Sequence, residues 1–308
     1  MNQTATATVR RTAWTLAALV LVGAGLGGAG LGGCAARHEQ FVLDVAPTTG
    51  AIGVDIENFR GSVEVRVDPK QPTILVESTV RSDEGFDEDA AARHHDAVSV
   101  TADMDEAGAR GVLRVRTATA LPEDEDHSVD LFITMPRVDG VRVVNKGGEV
   151  VIVDGAGAVQ ITNTGGAVEY RTRQPIVDPV TITTADGNIY YQVPPESSGL
   201  FDLETLKGRV SYKDNDGQTD EASATARRLT ARLNAGANPV LARTSAGDII
   251  VRVDEESFNT TRAFRVTPPD ITESFFLDST RRYTRNLPDD APELQKPQTV
   301  SARYLWEQ

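Results

Sequence analysis

Side chains suited to covalent or acid–base chemistry are sparse in this 308-residue sequence. Cysteine occurs once, at Cys34, and histidine four times, at His38, His94, His95 and His127, so everything after residue 127 lacks an imidazole. One thiol cannot close an internal disulfide; it can act as a nucleophile that accepts a modifying group. His94 and His95 are adjacent, and neighbouring positions diverge on a helix or a strand. The two are therefore read as surface residues and not as joint ligands of one ion. Acids are plentiful, with 45 Asp and Glu against 31 Lys and Arg, a formal charge of −14. That sign repels a phosphate backbone, which is captured by clustered Lys and Arg, so nucleic acid is excluded as a partner.

Several acidic clusters invite a metal or catalytic reading. Asp214-Asn215-Asp216-Gly217 followed by Asp220-Glu221 has the composition of a calcium loop. Tyr212, however, stands where an EF-hand needs its first Asp, and Ser223 where it needs the bidentate Glu. A solvated turn is the better reading. The acidic runs 83–89 and 123–126 read as solvated loops for the same want of ligand spacing. General acid–base work needs paired carboxylates tuned by their surroundings, and Asp202, Glu204 and Asp248 do not align between the repeats described next. No enzyme activity, metal or cofactor is expected.

The elements that must position these groups come from an internal period. One template recurs: apolar, x, apolar, x, Asn/Thr, x, x, Gly, x, apolar, x, apolar. It fits Val141 to Ile152, Val159 to Tyr170, Val180 to Tyr191, Phe201 to Tyr212 and Val240 to Val251, with an upstream copy from Val54 to Val65. Each copy is two short strands of period-2 alternation, joined at a corner whose glycine can take a positive φ. Starts at 141, 159, 180 and 201, spaced by 18 to 21 residues, suit one coil of a β-solenoid in which apolar positions stack from turn to turn. The column Asn145, Asn163, Thr184, Thr205 and Thr244 then forms a corner ladder that bonds unpaired backbone groups. Tyr170, Tyr191 and Tyr212 share the core parity and are expected to stack as a buried ladder, although tyrosine columns also bind sugar rings.

Outward positions differ between the two strands of a copy. On the first they are polar, as at Arg142, Gln160, Thr162, Thr181, Thr183, Asp202 and Glu204, which predicts a wet face. On the second, Val151, Tyr190 and Ile250 point away from the core, and such an apolar stripe calls for a cover. The candidates are a partner or the chain's own C-terminal segment, with Phe264, Phe275, Phe276, Tyr304 and Trp306 folding back. Ile74 to Val80, Val98 to Ala102, Val112 to Arg116 and Val129 to Met135 alternate as further strands. Residues 86–96 suit a short helix or a loop, 214–226 a polar excursion, and the proline-rich 254–308 an extended tail or cap.

Residues 1–33 hold Arg10-Arg11, an apolar run from Ala13 to Val22 and a Gly/Ala/Leu tract, with no acid: the layout of an export signal. The tract ends in Leu31-Gly32-Gly33-Cys34, which resembles the bacterial lipobox. That resemblance implies diacylglycerol on the Cys34 thiol, cleavage before it and acylation of the new amino group, so that the protein is membrane-bound without spanning. It also implies the cell envelope as location. Ala35 stands where inner-membrane retention signals carry Asp, which favours the outer membrane if the cell has one.

The order of parts from about residue 41 to 253, with Gly61-Ser62-Val63-Glu64-Val65, Thr164-Gly165-Gly166-Ala167-Val168 and Thr244-Ser245-Ala246-Gly247-Asp248-Ile249, resembles the bacterial "putative adhesin" family. The resemblance implies surface adhesion and carries no catalytic residues. The expectation is an all-β solenoid of ~20-residue coils over 34–253, behind a 1–33 signal peptide. Its task would be non-enzymatic binding, adhesion or structure, with polysaccharide or an envelope protein as partner. Two alternatives stay open: a polysaccharide-active, lyase-like β-helix enzyme, and a periplasmic scaffold of an envelope-sensing complex.

Overall fold

The computed structural model describes residues 9–14, 35–43, 52–82, 88–105, 111–121 and 127–255. Leu31, Gly32, Gly33 and Cys34 lie outside these residues, as do the acidic run 123–126 and the segment 256–308. In chain order the elements are β1 (Val9–Trp14), β2 (Ala35–Leu43), β3 (Ile52–Asn58), β4 (Val63–Val67), β5 (Ile74–Ser82), α1 (Glu88–Ala97), β6 (Val98–Asp105), β7 (Gly111–Thr119) and β8 (His127–Met135). There follow β9 (Asp139–Asn145), β10 (Val150–Val153), β11 (Ala156–Gly165), β12 (Val168–Arg171), β13 (Val180–Asp186) and β14 (Ile189–Val193). The last are β15 (Gly199–Thr205), β16 (Val210–Asp214), β17 (Thr219–Ala224), β18 (Arg228–Leu233), β19 (Pro239–Ala246) and β20 (Ile249–Val253).

The strands form two sheets. One runs β1-β2-β5-β8-β4-β10-β12-β14-β20-β16, the other β17-β18-β15-β19-β13-β11-β9-β3-β7-β6. Each template copy gives one strand to each sheet, and the copies pair in parallel with equivalent residues opposed: Val141, Val159 and Val180 in one sheet, Val150, Val168 and Ile189 in the other. The upstream copy joins the same stack, with Val54 opposite Val141 and Val63 opposite Val150. This is an all-β, solenoid-like fold. Val63, Ile152, Ile161, Val168 and Ile189 are fully or almost fully buried between the sheets, each contributing roughly 1.5–3 kcal/mol of transfer free energy.

The corners hold the two sheets in register. Asn145 Nδ2 donates to the carbonyls of Gly61 and Gly147, both at 3.0 Å, and Asn163 Nδ2 to those of Gly148 at 2.9 Å and Gly166 at 3.0 Å. Thr244 Oγ1 donates to Gly187 O at 2.9 Å and Thr205 Oγ1 to Gly247 O at 2.7 Å. Each buried side chain thus satisfies a carbonyl of the neighbouring corner, which forms the ladder expected from the sequence. The glycines are required by both conformation and space. Gly166 has φ 97°, and a Cβ there would lie 2.3 Å from Gly148 O.

The stacking order departs from chain order. The 240–251 copy inserts between the 180 and 201 copies, with Val240 opposite both Val180 and Phe201, and Val251 opposite both Tyr191 and Tyr212. The tyrosines are buried as expected, and Tyr170 stacks on Tyr191 at 5.6 Å between ring centroids, but Val251 separates Tyr191 from Tyr212. Phe201 restores continuity with edge contacts to both rings, at 6.2 and 5.3 Å. The cause lies in residues 214–226, read as a polar excursion. Part of that segment forms β17, which makes an antiparallel hairpin with β18, and β18 caps β15. With that side of β15 occupied, its other edge is left to β19.

A second correction concerns the histidines. His94 is fully buried, because α1 packs against β5 and turns this position inward. Its Nδ1 lies 2.8 Å from Ser82 Oγ, and its ring lies 5.3 Å from that of His127. His127 is buried as well, with Nε2 2.7 Å from Thr119 Oγ1.

Candidate functional site

The functional candidates lie on the outward faces of the two sheets, which the pleat separates from the common core. On the sheet containing β9, β11 and β13, the outward Gln160, Thr162 and Thr181 are exposed, as their polar character predicts. Ion-paired clusters flank this neutral centre. On one side Asp55 accepts from Arg116 Nη2 and Arg142 Nη1, both at 2.6 Å, and Glu57 accepts from Arg142 Nη1 at 2.8 Å. On the other, Asp202 accepts from Arg243 Nη2 at 2.6 Å, with Arg228 Nε 3.5 Å away. Burial tends to raise the Asp55 pKa, but hydrogen bonds and charge from Arg116 and Arg142 outweigh it and hold the carboxyl below its ordinary value.

The outward face of β4, β10, β12, β14 and β20 is built otherwise. Parallel registers align Glu64, Val151, Glu169, Tyr190 and Ile250 in one row, and Arg66, Val153, Arg171, Gln192 and Arg252 in the next. These positions point away from the core, yet Glu169 and Arg171 are 4% exposed, Gln192 6%, Tyr190 7% and Ile250 3%. Ala167, Tyr190 and Ile250 form a small apolar cluster separate from the core between the sheets. Of the three stripe residues read from the sequence, Tyr190 and Ile250 are therefore covered instead of lying bare, and Val151 is half-buried.

Charge on this face is concentrated and poorly hydrated. Arg171 Nε lies 3.1 Å from Glu169 Oε1, and both side chains are 5% exposed. Burial pushes the Glu169 pKa up to about 7; Arg171 opposes the rise, while Glu149 and Glu64 add to it. Glu149 is also raised, first by burial and then by Glu64. Arg66 pairs with Glu64 and lies 5.8 Å over the Phe132 ring. At the far side Asn188 Nδ2 donates to Tyr190 Oη at 3.3 Å, while Asn188 Oδ1 accepts from Asp248 N at 2.7 Å. A shallow dent, too small for more than about one water, is lined by Glu169, Arg171, Tyr190, Gln192, Ile250 and Arg252 along with the edges of two core tyrosines.

Sequence reasoning found the apolar members of this face and missed Glu64, Glu149, Glu169 and Arg171. The signal was present as Glu-x-Arg at the same template positions in two copies, 64–66 and 169–171. Asp214, in the calcium-like stretch, is spent on its own turn: it accepts from Gly217 N at 2.6 Å and Thr219 Oγ1 at 2.5 Å. Among the described residues, no group of three or more His, Cys, Asp or Glu side chains is disposed to hold a metal ion.

Comparison with known proteins bears on this geometry. Residues 125–252 match the Toastrack DUF4097 family model, a segment that contains β8 to β20 save the last residue. No curated protein matches. Among solved structures, a "putative cell adhesion protein" from Clostridium sporogenes is 8% identical with a TM-score of 0.39, over 70% of this chain and 99% of that one. A "putative adhesin" from Bacteroides fragilis is 11% identical with a TM-score of 0.25, over 72% of this chain and 97% of that one.

Proposed function

We propose that the protein is a lipid-anchored module of the cell envelope, a β-solenoid of ~20-residue coils that serves in binding, adhesion or structure without catalysing a reaction. The observation that carries this reading is the state of the clustered carboxylates. Asp55 is tied to Arg116 and Arg142, Asp202 to Arg243, and Glu169 to Arg171. Acids engaged by guanidinium groups in this way are occupied as structural ion pairs, whereas hydrolysis or elimination on a sugar needs a carboxyl free to meet substrate. The wet face, with Gln160, Thr162 and Thr181 presenting amide and hydroxyl groups, has the chemistry to meet a polysaccharide or an envelope protein.

The anchor is Cys34, with Leu31, Gly32 and Gly33 as its cleavage context. Cleavage there would remove β1, which among the described residues pairs with β2 at one end of its sheet, so the stack of template copies would be left whole. Fractionation of expressing cells tests the anchor: wild type should sediment with membranes and Cys34→Ala should be released, while unchanged retention contradicts it. An assay on polyuronides, with and without calcium, tests the absence of catalysis. Turnover that disappears when one outward Arg or Asp is replaced would overturn the binding reading in favour of the lyase-like one.

A further inference from the structure

The 240–251 copy, β19 and β20, is wedged into the stack, with Val240 between Val180 and Phe201, Thr244 between Thr184 and Thr205, and Val251 between Tyr191 and Tyr212. The 201 copy, which follows the 180 copy in the chain, sits one level further out and is closed by the β17–β18 hairpin. Two connections at one corner therefore each skip a level: 194–198 leads from β14 past β19 to β15, and 234–238 leads from β18 past β15 to β19. They meet where they pass. Asn234 Nδ2 donates to Ser197 O at 2.7 Å and also to Pro195 O, while Asn238 Nδ2 donates to Ser198 O at 2.9 Å and to Asp178 O at 3.0 Å. A Cβ on Gly236 would lie 2.2 Å from Gly199 N. Connections that cross at one edge of a sheet are avoided in folds. This crossing also holds two non-glycine residues in the left-handed region, Asn234 at φ 49° and Ala235 at φ 52°. Asparagine adopts that conformation readily; alanine does not.

We propose that β19–β20 is an exchangeable coil, and that two copies of the protein associate by each inserting this pair between the 180 and 201 copies of the other. Every ladder contact of the closed form is repeated in the exchanged one, since the flanks of the gap present the same registers in either copy. The hinge is what changes. Extended, its five residues reach up to roughly 17 Å, so that β19 leaves its own chain without passing over β15 and Ala235 leaves the left-handed region. A short hinge under strain favours exchange of this kind. The corner chemistry selects a second copy over a foreign strand. Thr244 Oγ1 donates to Gly187 O at 2.9 Å, Gly247 O accepts from Thr205 Oγ1 at 2.7 Å, and a Cβ on Gly247 would lie 2.1 Å from Gly187 O. An inserted pair must therefore carry a hydroxyl and, three residues on, a glycine, with apolar groups at the offsets of Val240, Ala242, Ile249 and Val251. That is this chain's own template. The inference does not depend on the lipid anchor or on what the wet face binds.

Single-cysteine variants of the full-length chain test it, in a Cys34→Ala background. Thr181 and Leu241 are opposed on β13 and β19 with outward side chains. Thr181→Cys in one chain and Leu241→Cys in another therefore come within reach of a short bis-maleimide only if β19 of one copy lies beside β13 of the other. The two chains are unfolded in urea and refolded together, and a chain carrying both cysteines is the control that the pair can be bridged. Exchange predicts a covalent mixed dimer whose yield rises with chain concentration. Ala235→Pro, which forbids the left-handed hinge, should raise that yield about fivefold or more, and Ala235→Gly, which removes the strain, should lower it by a similar factor. With folding verified by far-UV circular dichroism, absence of the mixed dimer at every concentration in both wild-type hinge and Ala235→Pro chains would overturn the proposal. An equal yield between two Thr181→Cys chains would overturn it in favour of contact between outward faces.

Discussion

The two outward faces are made by the same strand pairs, one strand of each pair facing each way, yet they solve opposite problems. On β11 and β13 the outward groups are short and polar, and the acids on the flanking strands meet arginines at a hydrated surface. Asp55 is the example, its pKa lowered because two guanidinium groups outweigh partial burial. Around β12, β14 and β20 the outward groups are apolar or ionic and covered. Glu169 has its pKa raised to about 7, because burial outweighs its single close guanidinium partner, Arg171. Two hydrogen-bonded guanidinium groups at a partly buried acid and one charge contact at a deeply buried acid thus shift titration in opposite directions. The lesson is that on a stacked-strand scaffold the acidity of an outward carboxyl is set by the balance between its burial and the number of guanidinium groups that meet it.

The sharpest way to break this contrast is to cut one ion pair on each face. Arg171→Ala leaves Glu169 buried beside a lost partner and should cost about 3–5 kcal/mol in urea unfolding at pH 8. Arg142→Ala, with its side chain 42% exposed, should cost under about 1 kcal/mol. Equal losses would mean that the faces are equally hydrated. Next in size is truncation of an apolar outward residue. Ile250→Ala should cost about 2–4 kcal/mol, as a core residue does, and Leu241→Ala on the other sheet under about 1 kcal/mol.

The pH dependence sharpens the contrast further. Glu169 titrates near 7 when folded and near its ordinary 4.5 when unfolded, so between those values the folded state holds the extra proton. Its contribution is therefore lost as pH rises from about 4.5 to about 7. Asp55, lowered from 3.8, contributes stability above that value and loses it only as pH falls below it. A thermal melting series should show a fall of a few degrees between pH 5 and 7.5 that Glu169→Gln flattens and Asp55→Asn leaves in place. Loss of the slope in Asp55→Asn would reverse the assignment.

Much of the architecture was legible because the template couples alternation, a corner amide or hydroxyl and a glycine at fixed offsets. Asn145, Asn163 and Gly166 could each be assigned a physical task from spacing alone. The stacking order was not legible. Val251 and Tyr191 satisfy the same position equally well, and only the β17–β18 hairpin, built from a segment without the period, decides which copy lies beside which. The covered face was half legible. The wrong-way Val151, Tyr190 and Ile250 marked the strand, but Glu149 and Glu169 owe their raised pKa first to burial and then to carboxylates brought together from separate copies, neither of which the local sequence displays. His94 was misread because adjacency argued against a shared metal and said nothing about burial on one side of α1.

Hydroxyl-radical footprinting of the full-length protein tests the central contrast most directly, since it reports side-chain access residue by residue. With rates corrected for intrinsic reactivity, Tyr190 should be modified as slowly as Tyr191 in the core, while Leu206, 59% exposed, should react freely. If Tyr190 reacts at the corrected rate of Leu206, the outward face of β14 is open to water and the account of a covered face is wrong.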